Sequence, residues 1–502
     1  MSKTANFAAV DLGAESGRCM LGRFDGERVQ LEEVHRFANT PVRISTGLHW
    51  DALRLFHEIK HGLGACGRQS GGALAGIGVD TWGVDCALLG DDGALLGNPV
   101  CYRDTRTAHM LTAAFQRMPQ AEIFELTGIQ FMPINALYLL LALQTGGSSI
   151  LDSAATFLMM PDLFNYWLCG RKACEFTAAT TAQLVNPRTR AWAMPLIERF
   201  GFPRHIFPEL VEPGTVLAPL LGEVADEIGI HGVPIIAPGT HDTASAVAAV
   251  PAQAASYAYI SLGTWSLVGV EVTQPVINAQ ALQCNLTNEG GVAGTFRLLK
   301  NVAGLWLVQE CRRDWALRGE DFTYAQLTAM AEAAAPFGAV LDPDAPDFAY
   351  ASDMPAKIVA YCKRTGQTLP ESKGALLRCI FESLALKQRY VLERITQVHA
   401  RQPAVIHIVG GGSQNQLLCQ LTADACQLPV VAGPVEATAL GNVLVQAMAV
   451  GLLGSLADVR AVVRRSVTLT EYLPRRRAGW DVAYAYQQKL IAQISFLQQK
   501  TS

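Results

Sequence analysis

Asp242 stands in Gly239-Thr240-His241-Asp242-Thr243-Ala244-Ser245-Ala246, just past the short apolar run Ile235 to Ala237, which Pro238 and Gly239 stop. A helix is expected to begin near Asp242, and the free N–H groups of its first turn favour an ionised carboxylate. Such a carboxylate can take a proton from a hydroxyl nucleophile; a helix-capping aspartate is the structural alternative. A second acid, Asp11, lies in Val-Asp-Leu-Gly-Ala-Glu-Ser-Gly-Arg, residues 10–18, at the end of an apolar strand beside a glycine turn. There it can hold magnesium through water, because Mg²⁺ prefers few protein oxygens plus substrate phosphates; an ordinary hairpin with the aspartate closing the turn is the alternative. Asp80-Thr81-Trp82-Gly83-Val84-Asp85 sets two carboxylates and an indole about a glycine. Those groups suit a polyhydroxylated ligand, or alternatively a strand and turn with the tryptophan in the core. Gly410-Gly411-Gly412 follows the apolar run Val405 to Val409. Bare backbone there accommodates a flat ring or ribose, whereas an ordinary strand-to-helix turn needs one glycine.

The elements that must hold these groups repeat. Phe7 to Arg18, FAAVDLGAESGR, returns in altered form as Tyr257 to Val268, YAYISLGTWSLV. Each reads as strand, tight turn at Gly13 or Gly263, and strand. Glycine turns let backbone N–H groups approach a phosphate, so two such hairpins make a phosphate clamp. Between them, strand-like runs (Ala73 to Val79, Cys86 to Leu89) alternate with helical ones (Asp51 to Leu63, Asp104 to Arg117), an α/β rhythm. The second half opens with strands over Ala255 to Val272 and Phe296 to Leu299, then a helix over Val302 to Arg312. An irregular Pro-rich interval, Leu341 to Pro355, precedes a long helix, Gly374 to His399. The best boundary lies near Ala248 to Ala254, giving domains 1–247 and 248–502.

Bulk properties narrow the class. The 502 residues carry 40 basic and 44 acidic side chains, net −4, well mixed along the chain. No basic face is offered to nucleic acid or to an anionic membrane, and a small molecule is the expected partner. No apolar run suits a signal peptide or a bilayer span, so a soluble cytoplasmic protein is expected. Twelve cysteines contain no CxxC pair, and most should be small buried hydrophobes. Cys362 and Cys379 are the pair to watch, with no bond expected in a reducing compartment. His57-Glu58-Ile59-Lys60-His61 fits the HExxH zinc pattern, but no further ligand helix follows, and a solvated helix face is the expectation. There is no Walker A string, so a nucleotide would not be held by a P-loop.

Taken together these strings resemble the FGGY carbohydrate kinases of the actin-like ATPase superfamily. To those above are added Tyr102 to Thr107, Gly128 to Tyr138, Asn-Glu-Gly-Gly at 288–291, Leu299 to Glu310 and Ala432 to Asn442. The FGGY tetrapeptide itself is absent. The resemblance implies an α/β fold of two duplicated ribonuclease-H-like (actin/hexokinase-like ATPase) domains, with the active site in the interdomain cleft. The first domain would bind sugar and phosphate, the second the nucleotide. It implies transfer of the γ-phosphate of ATP, with Mg²⁺, to the 1-hydroxyl of L-rhamnulose in L-rhamnose catabolism; an L-fuculokinase or xylulokinase is the alternative. Asp242 would be the catalytic base, and Gly83, His241, Thr243 and Asn301 would touch the sugar. Ala14, Glu15, Ser16, Gly17 and Arg18 would form the first phosphate loop, and Thr264 the second phosphate contact. Gln309 and Gly411 would meet the nucleotide, and Asp11 the metal. Glu15 puts an acid beside phosphates and must point away from them. A sugar-sensing regulator or chaperone-like ATPase on the same fold would need a DNA-binding or peptide module, for which no segment is left. Oligomeric state is open.

Overall fold

The computed structural model describes residues 4–254, 256–475 and 478–501. Ala255, where the sequence reading starts the second hairpin, lies outside them. The chain forms two compact units that are not contiguous halves. One holds residues up to Pro251, Glu271–Leu298 and Glu436–Val467; the other holds Ala252–Val270, Leu299–Val435 and the stretch from Thr468 on.

The first unit is built on a six-stranded sheet in the order β5-β6-β4-β1-β2-β3. Here β1 is Ala5–Leu12, β2 Ser16–Phe24, β3 Val29–Ala38, β4 Gly76–Thr81, β5 Thr215–Pro219 and β6 Pro234–Ala237. The antiparallel meander β1-β2-β3 lies beside the parallel strands β4 and β6, and β5 closes the sheet antiparallel to β6. Fully buried strands need no alternation of polar residues, which is why β4 and most of β1 and β6 are apolar runs. The helix Ala52–Gln69 covers the sheet with Leu55, Ile59 and Leu63, and Asp51 caps it by accepting from Arg54 N at 3.2 Å.

The second sheet has seven strands, six of which run β9-β8-β7-β10-β11-β12, with the short strand Thr287–Gly290 at the edge beside β9. The six are β7 Ala258–Leu262, β8 Trp265–Val272, β9 Phe296–Ala303, β10 Ile406–Val409, β11 Val430–Ala432 and β12 Thr470–Tyr472. The hairpin β7-β8 is antiparallel, β10 and β11 follow in parallel, and β12 is antiparallel. Apart from that added edge strand this is the plan of the first sheet, so the short sequence echo marks a duplicated architecture. Among the described residues no helix is long and apolar enough to cross a membrane. All twelve cysteines are thiols, and Cys362 and Cys379 share a hydrogen bond rather than a disulfide.

Two local expectations are corrected. Asp104 to Arg117 is not one helix: a 3₁₀ turn at Thr105–Thr107, capped by Asp104 Oδ1 accepting from Arg106 N, precedes a helix over Met110–Arg117. Nor does a helix begin at Val302, because strand pairing extends β9 to Ala303 and delays the helix to Trp306–Leu317. The HExxH segment lies on the helix Ala52–Gln69, where Glu58 pairs with His35 at 2.7 Å, and His57 and His61 are exposed.

Trp82 sits in the core, 5% exposed, with its ring centroid 4.4 Å from that of Trp50. Both indoles donate to Asp85 Oδ2, at 2.6 Å from Trp50 and 2.8 Å from Trp82, and Tyr102 N adds a third contact at 3.3 Å. Burial nevertheless pushes Asp85 up to about 7, these donors pulling back only part of the shift. A folded-state value above the unfolded one near 3.9 contributes stability that is complete below about pH 4 and is lost as pH rises through 7. The advantage of wild type over Asp85→Asn should therefore shrink between pH 4 and pH 8, by on the order of 1–4 kcal/mol. Urea unfolding of both proteins across that range reads it; a constant difference would show that Asp85 does not titrate there.

Candidate active site

Three parallel strands end side by side, and each end presents an acid. Asp11 and Asp80 are register partners on β1 and β4. Beyond β6 the chain continues the ladder, with Thr81 N donating to Thr240 O at 2.9 Å and Thr81 bridged in parallel to His241. Asp242 follows as the first residue of the helix Asp242–Ala248, with His241 as its cap residue. The site thus lies at the carboxyl ends of the strands, where sheets of this kind place their ligands.

The acids are not equivalent. Asp80 is wholly buried, and burial together with Asp11 and Asp242 holds it well above the usual carboxylate range. Asn442 offsets part of this by donating to Asp80 Oδ2 at 2.5 Å, and is itself held by Gln446, whose Nε2 donates to Asn442 Oδ1 at 2.6 Å. Asp242 is also raised, chiefly by burial and then by Asp11, while His241 and Thr243 pull the other way. Burial therefore outweighs the helix terminus, which from sequence alone favours the ionised form. Asp242 keeps 27% of its side chain open to solvent, and Thr243 Oγ1 donates to its Oδ1 at 3.0 Å. Asp11 accepts from Arg18 Nη2 at 2.7 Å and Nε at 3.0 Å, across the hairpin, and Arg18 also pairs with Glu436. Burial works against the charge on Arg18, yet these carboxylates hold its pKa above the ordinary value.

The loop bearing Asp242 is braced from below. Glu175, wholly buried, accepts from Thr177 N, Thr177 Oγ1, Ala178 N, Thr240 N and Thr240 Oγ1, at 2.5 to 3.2 Å. Thr177 Oγ1 in turn accepts from His241 N at 3.1 Å. Gly83 backs onto the histidine: a Cβ there would stand 3.2 Å from His241 Nε2 and 3.1 Å from Thr181. Its neighbour Val84 is held at φ 70°, an outlier for a β-branched residue, with its N–H donating to Thr181 Oγ1 at 2.9 Å.

At the first hairpin turn, Asn39 fixes the backbone by donating from N to Glu15 O and from Nδ2 to Gly13 O, at 2.9 and 2.8 Å. Ala14 is half-buried and Glu15 is exposed, close enough to Arg103 to raise its pKa. Ser16 already belongs to β2, and Gly17 is required by packing, since a Cβ would meet the Phe37 ring and Leu12.

The remaining sequence candidates lie in the second unit, around the tip of its hairpin. Thr264 O accepts from Gly304 N and Trp306 N, which docks the start of the helix Trp306–Leu317 against that turn. One turn further on is Gln309, whose Oε1 is buried and makes no hydrogen bond within the protein. Asn301 is half-buried on β9. The three glycines after β10 separate cleanly. Gly410 has φ 85° against Leu262 O, and a Cβ on Gly412 would stand 2.3 Å from Leu262 Cγ, but a Cβ on Gly411 meets nothing within 4 Å. Packing explains Gly410 and Gly412; it does not explain Gly411.

Among the described residues no three His, Cys, Asp or Glu side chains stand close enough to cage a metal. The donor set does suit an ion that takes one or two carboxylates and keeps its waters: Asp11 adjoins Asp80, whose Oδ1 is buried without a hydrogen bond. Asn442, Glu436 and Glu175 have no role in the sequence reading, which takes Asp80 only as one of two carboxylates suited to a polyhydroxylated ligand. The strings holding Asp80 and Asn442 were visible, but contacts between residues so far apart in the chain were not.

A pair of α/β units on one plan, with acids at adjoining strand ends, describes the sugar-kinase and ATPase fold class, and comparisons narrow it. Residues 7–249 match the N-terminal domain, and residues 258–450 the C-terminal domain, of the FGGY family of carbohydrate kinases. The chain belongs to that family. It is 45% identical to a rhamnulokinase of Bacteroides thetaiotaomicron over 96% of this chain and 98% of that protein. It is 39% identical to a rhamnulokinase of Oceanobacillus iheyensis over 92% of this chain and 97% of that protein. The fold is similar to that of a gluconate kinase from Lactobacillus acidophilus, with a TM-score of 0.79, 18% identity, and 99% and 98% of the two chains covered.

One close approach sets where Asp242 sits. The helix Ala437–Ala449 crosses the helix Asp242–Ala248 at Gly441, where a Cβ would fall 1.8 Å from Ser245 O. Gly441→Ala gains about 1 kcal/mol of helix propensity, but overpacking against backbone costs about 1–3 kcal/mol or more. Its thermal midpoint and turnover should both fall. Gly411→Ala, facing open space, is the control and should melt as wild type; equal midpoints for all three proteins would contradict the packing.

Proposed function

We propose that this chain transfers the γ-phosphate of ATP to the 1-hydroxyl of L-rhamnulose, giving L-rhamnulose 1-phosphate. The observation that carries the chemistry is Asp242: a partly open carboxylate on a rigid helix start, beside two further acids and a histidine. The substrate rests on the relatives named rhamnulokinase, at up to 45% identity over almost the whole chain. Residues 1–247 would form the sugar- and phosphate-binding half and residues 248–502 the nucleotide-binding half.

Asp242 accepts the proton of the attacking hydroxyl. Phosphoryl transfer through a loose transition state asks for alignment more than basicity, and the brace through Thr240 and Glu175 supplies it. His241, Thr243, Gly83 and Asn301 contact the sugar. The first hairpin turn, Ala14 to Arg18, and Thr264 contact phosphates through backbone and hydroxyl groups; Arg18 adds a positive charge and Glu15 faces solvent. Gln309 and Gly411 meet the nucleotide, the first with its unengaged Oε1 and the second with open backbone. Asp11 would hold magnesium, which when bound neutralises phosphate charge.

Asp242→Ala should lower kcat about 10²- to 10⁴-fold with ATP binding retained. The acid limb of kcat/KM in wild type should lie above the ordinary aspartate value near 3.9, because Asp242 is raised. A coupled ADP assay over L-rhamnulose, L-fuculose, D-xylulose and glycerol, with and without magnesium, tests the substrate. L-rhamnulose should have the highest kcat/KM. A preference for L-fuculose or D-xylulose would point to the corresponding kinase, and near-normal turnover by Asp242→Ala would remove the assignment of the base. Gly411→Val should raise the KM for ATP about tenfold or more, by filling the surface a nucleotide would lie on, with little change in the KM for the sugar. An unchanged KM for ATP would place the nucleotide elsewhere.

A further inference from the structure

We propose that Arg297 is a positioning residue that fixes which ring nitrogen of His241 carries the proton, and so makes His241 a hydrogen-bond donor toward the sugar hydroxyls. The proposal rests on the reading of His241 and Asp242 as the sugar side of the site. Arg297 is wholly buried; its Nε donates to Gly290 O at 2.8 Å, and its Nη2 lies 3.0 Å from His241 Nδ1 and 3.1 Å from Glu289 Oε2. Its Nη1 is buried without a hydrogen bond, so this guanidinium is kept at a cost.

Arginine only donates, and it stays charged inside proteins. His241 Nδ1 must therefore present its lone pair to Arg297, which leaves the ring neutral with its hydrogen on Nε2. Glu289 sharpens the choice, since its Oε2 is 3.4 Å from the same Nδ1. A carboxylate facing Nδ1 alone would draw the proton there, as in any carboxylate–histidine pair. Arg297, held between the two, reverses that preference and pairs with the carboxylate itself. On the other side of the ring, Nε2 stands 3.4 Å from Asp242 Oδ1 and faces the room that Gly83 leaves by having no Cβ. An Nε2–H there attracts the ionised base and donates to a hydroxyl. A bare Nε2 lone pair would repel the carboxylate and could only accept.

The test reads the tautomer without turnover, so it stands or falls separately from the assignment of Asp242. In full-length protein with ¹⁵N-labelled histidine, two-bond correlation spectra should show His241 as the Nε2–H tautomer. In Arg297→Met the proton should move to Nδ1, against Glu289. The KM for L-rhamnulose should then rise about tenfold or more, with the KM for ATP within about twofold. Arg297→Lys, which keeps a charged donor, should restore the Nε2–H form and most of the sugar KM. An Nδ1–H ring in wild type overturns the proposal, whether or not the variants fold. So does a folded Arg297→Met that keeps the Nε2–H ring and a sugar KM within twofold of wild type. If Arg297→Met does not fold, Glu289→Gln decides, because removing the competing carboxylate should leave the Nε2–H form in place; an Nδ1–H form there contradicts Arg297 as the controlling group.

Discussion

Bringing Asp11, Asp80 and Asp242 to the ends of adjoining strands is the constraint from which the rest of the first unit follows. Carboxylates crowded into a low-dielectric site cannot all ionise freely, and each must be stabilised or take up a proton. The structure treats them differently. Asp80, the deepest, is held above the usual carboxylate range by burial and its two neighbours and is met by Asn442. Asp11 is bound by Arg18. Asp242, partly open to solvent, accepts from Thr243 and lies beside His241. The helix that brings Asn442 belongs to the C-terminal part of the sequence yet folds into the first unit.

The duplicated sheets keep the architecture and divide the chemistry. In the first sheet the register pair at the strand ends is Asp11 with Asp80; in the second, the equivalent pair is Ser261 with Val409. One position therefore carries acids in one copy and none in the other. A strand end without acids does not repel an anionic ligand, and the chain turns there into Gly410 to Gly412, of which only Gly411 is left unexplained by packing. The open hairpin tip, Gln309 and Gly411 then collect on the copy whose paired strand ends carry no acid.

Legibility in the sequence follows the range of the contacts. Both hairpins, the helix start at Asp242 and the strand before Gly410 are written in apolar runs ended by glycine or proline, signals that act within a few residues. The resemblance supplied candidate roles for individual residues. Local sequence allows Trp82 either core or ligand, and it is the distant Trp50 and the shared acceptor Asp85 that decide for the core. The helix expected from Val302 failed because β9 is lengthened by its sheet neighbours, which local periodicity does not register. Glu175, Arg297, Glu436 and Asn442 carry no local signal: each acts on a residue dozens to hundreds of positions away, and a single acid, arginine or amide reads as surface until its partner is known.

These unannounced residues share a physical form. Glu175 is a buried acid saturated by donors, Arg297 a buried base against a histidine and a carboxylate, and Asn442 a buried amide held by Gln446. Each would be costly in an apolar core, and each is retained where its hydrogen bonds fix a group at the strand ends. Glu175 fixes the backbone at Thr240, Arg297 the ring of His241, and Asn442 the carboxylate of Asp80. A base that relies on alignment needs its neighbours oriented as much as its own position. In the proposed function, backbone, ring and carboxylate are the three freedoms that would otherwise let the hydroxyl drift from Asp242. Polar groups buried beneath the site remove them, leaving the surface above free to be shaped for a ligand.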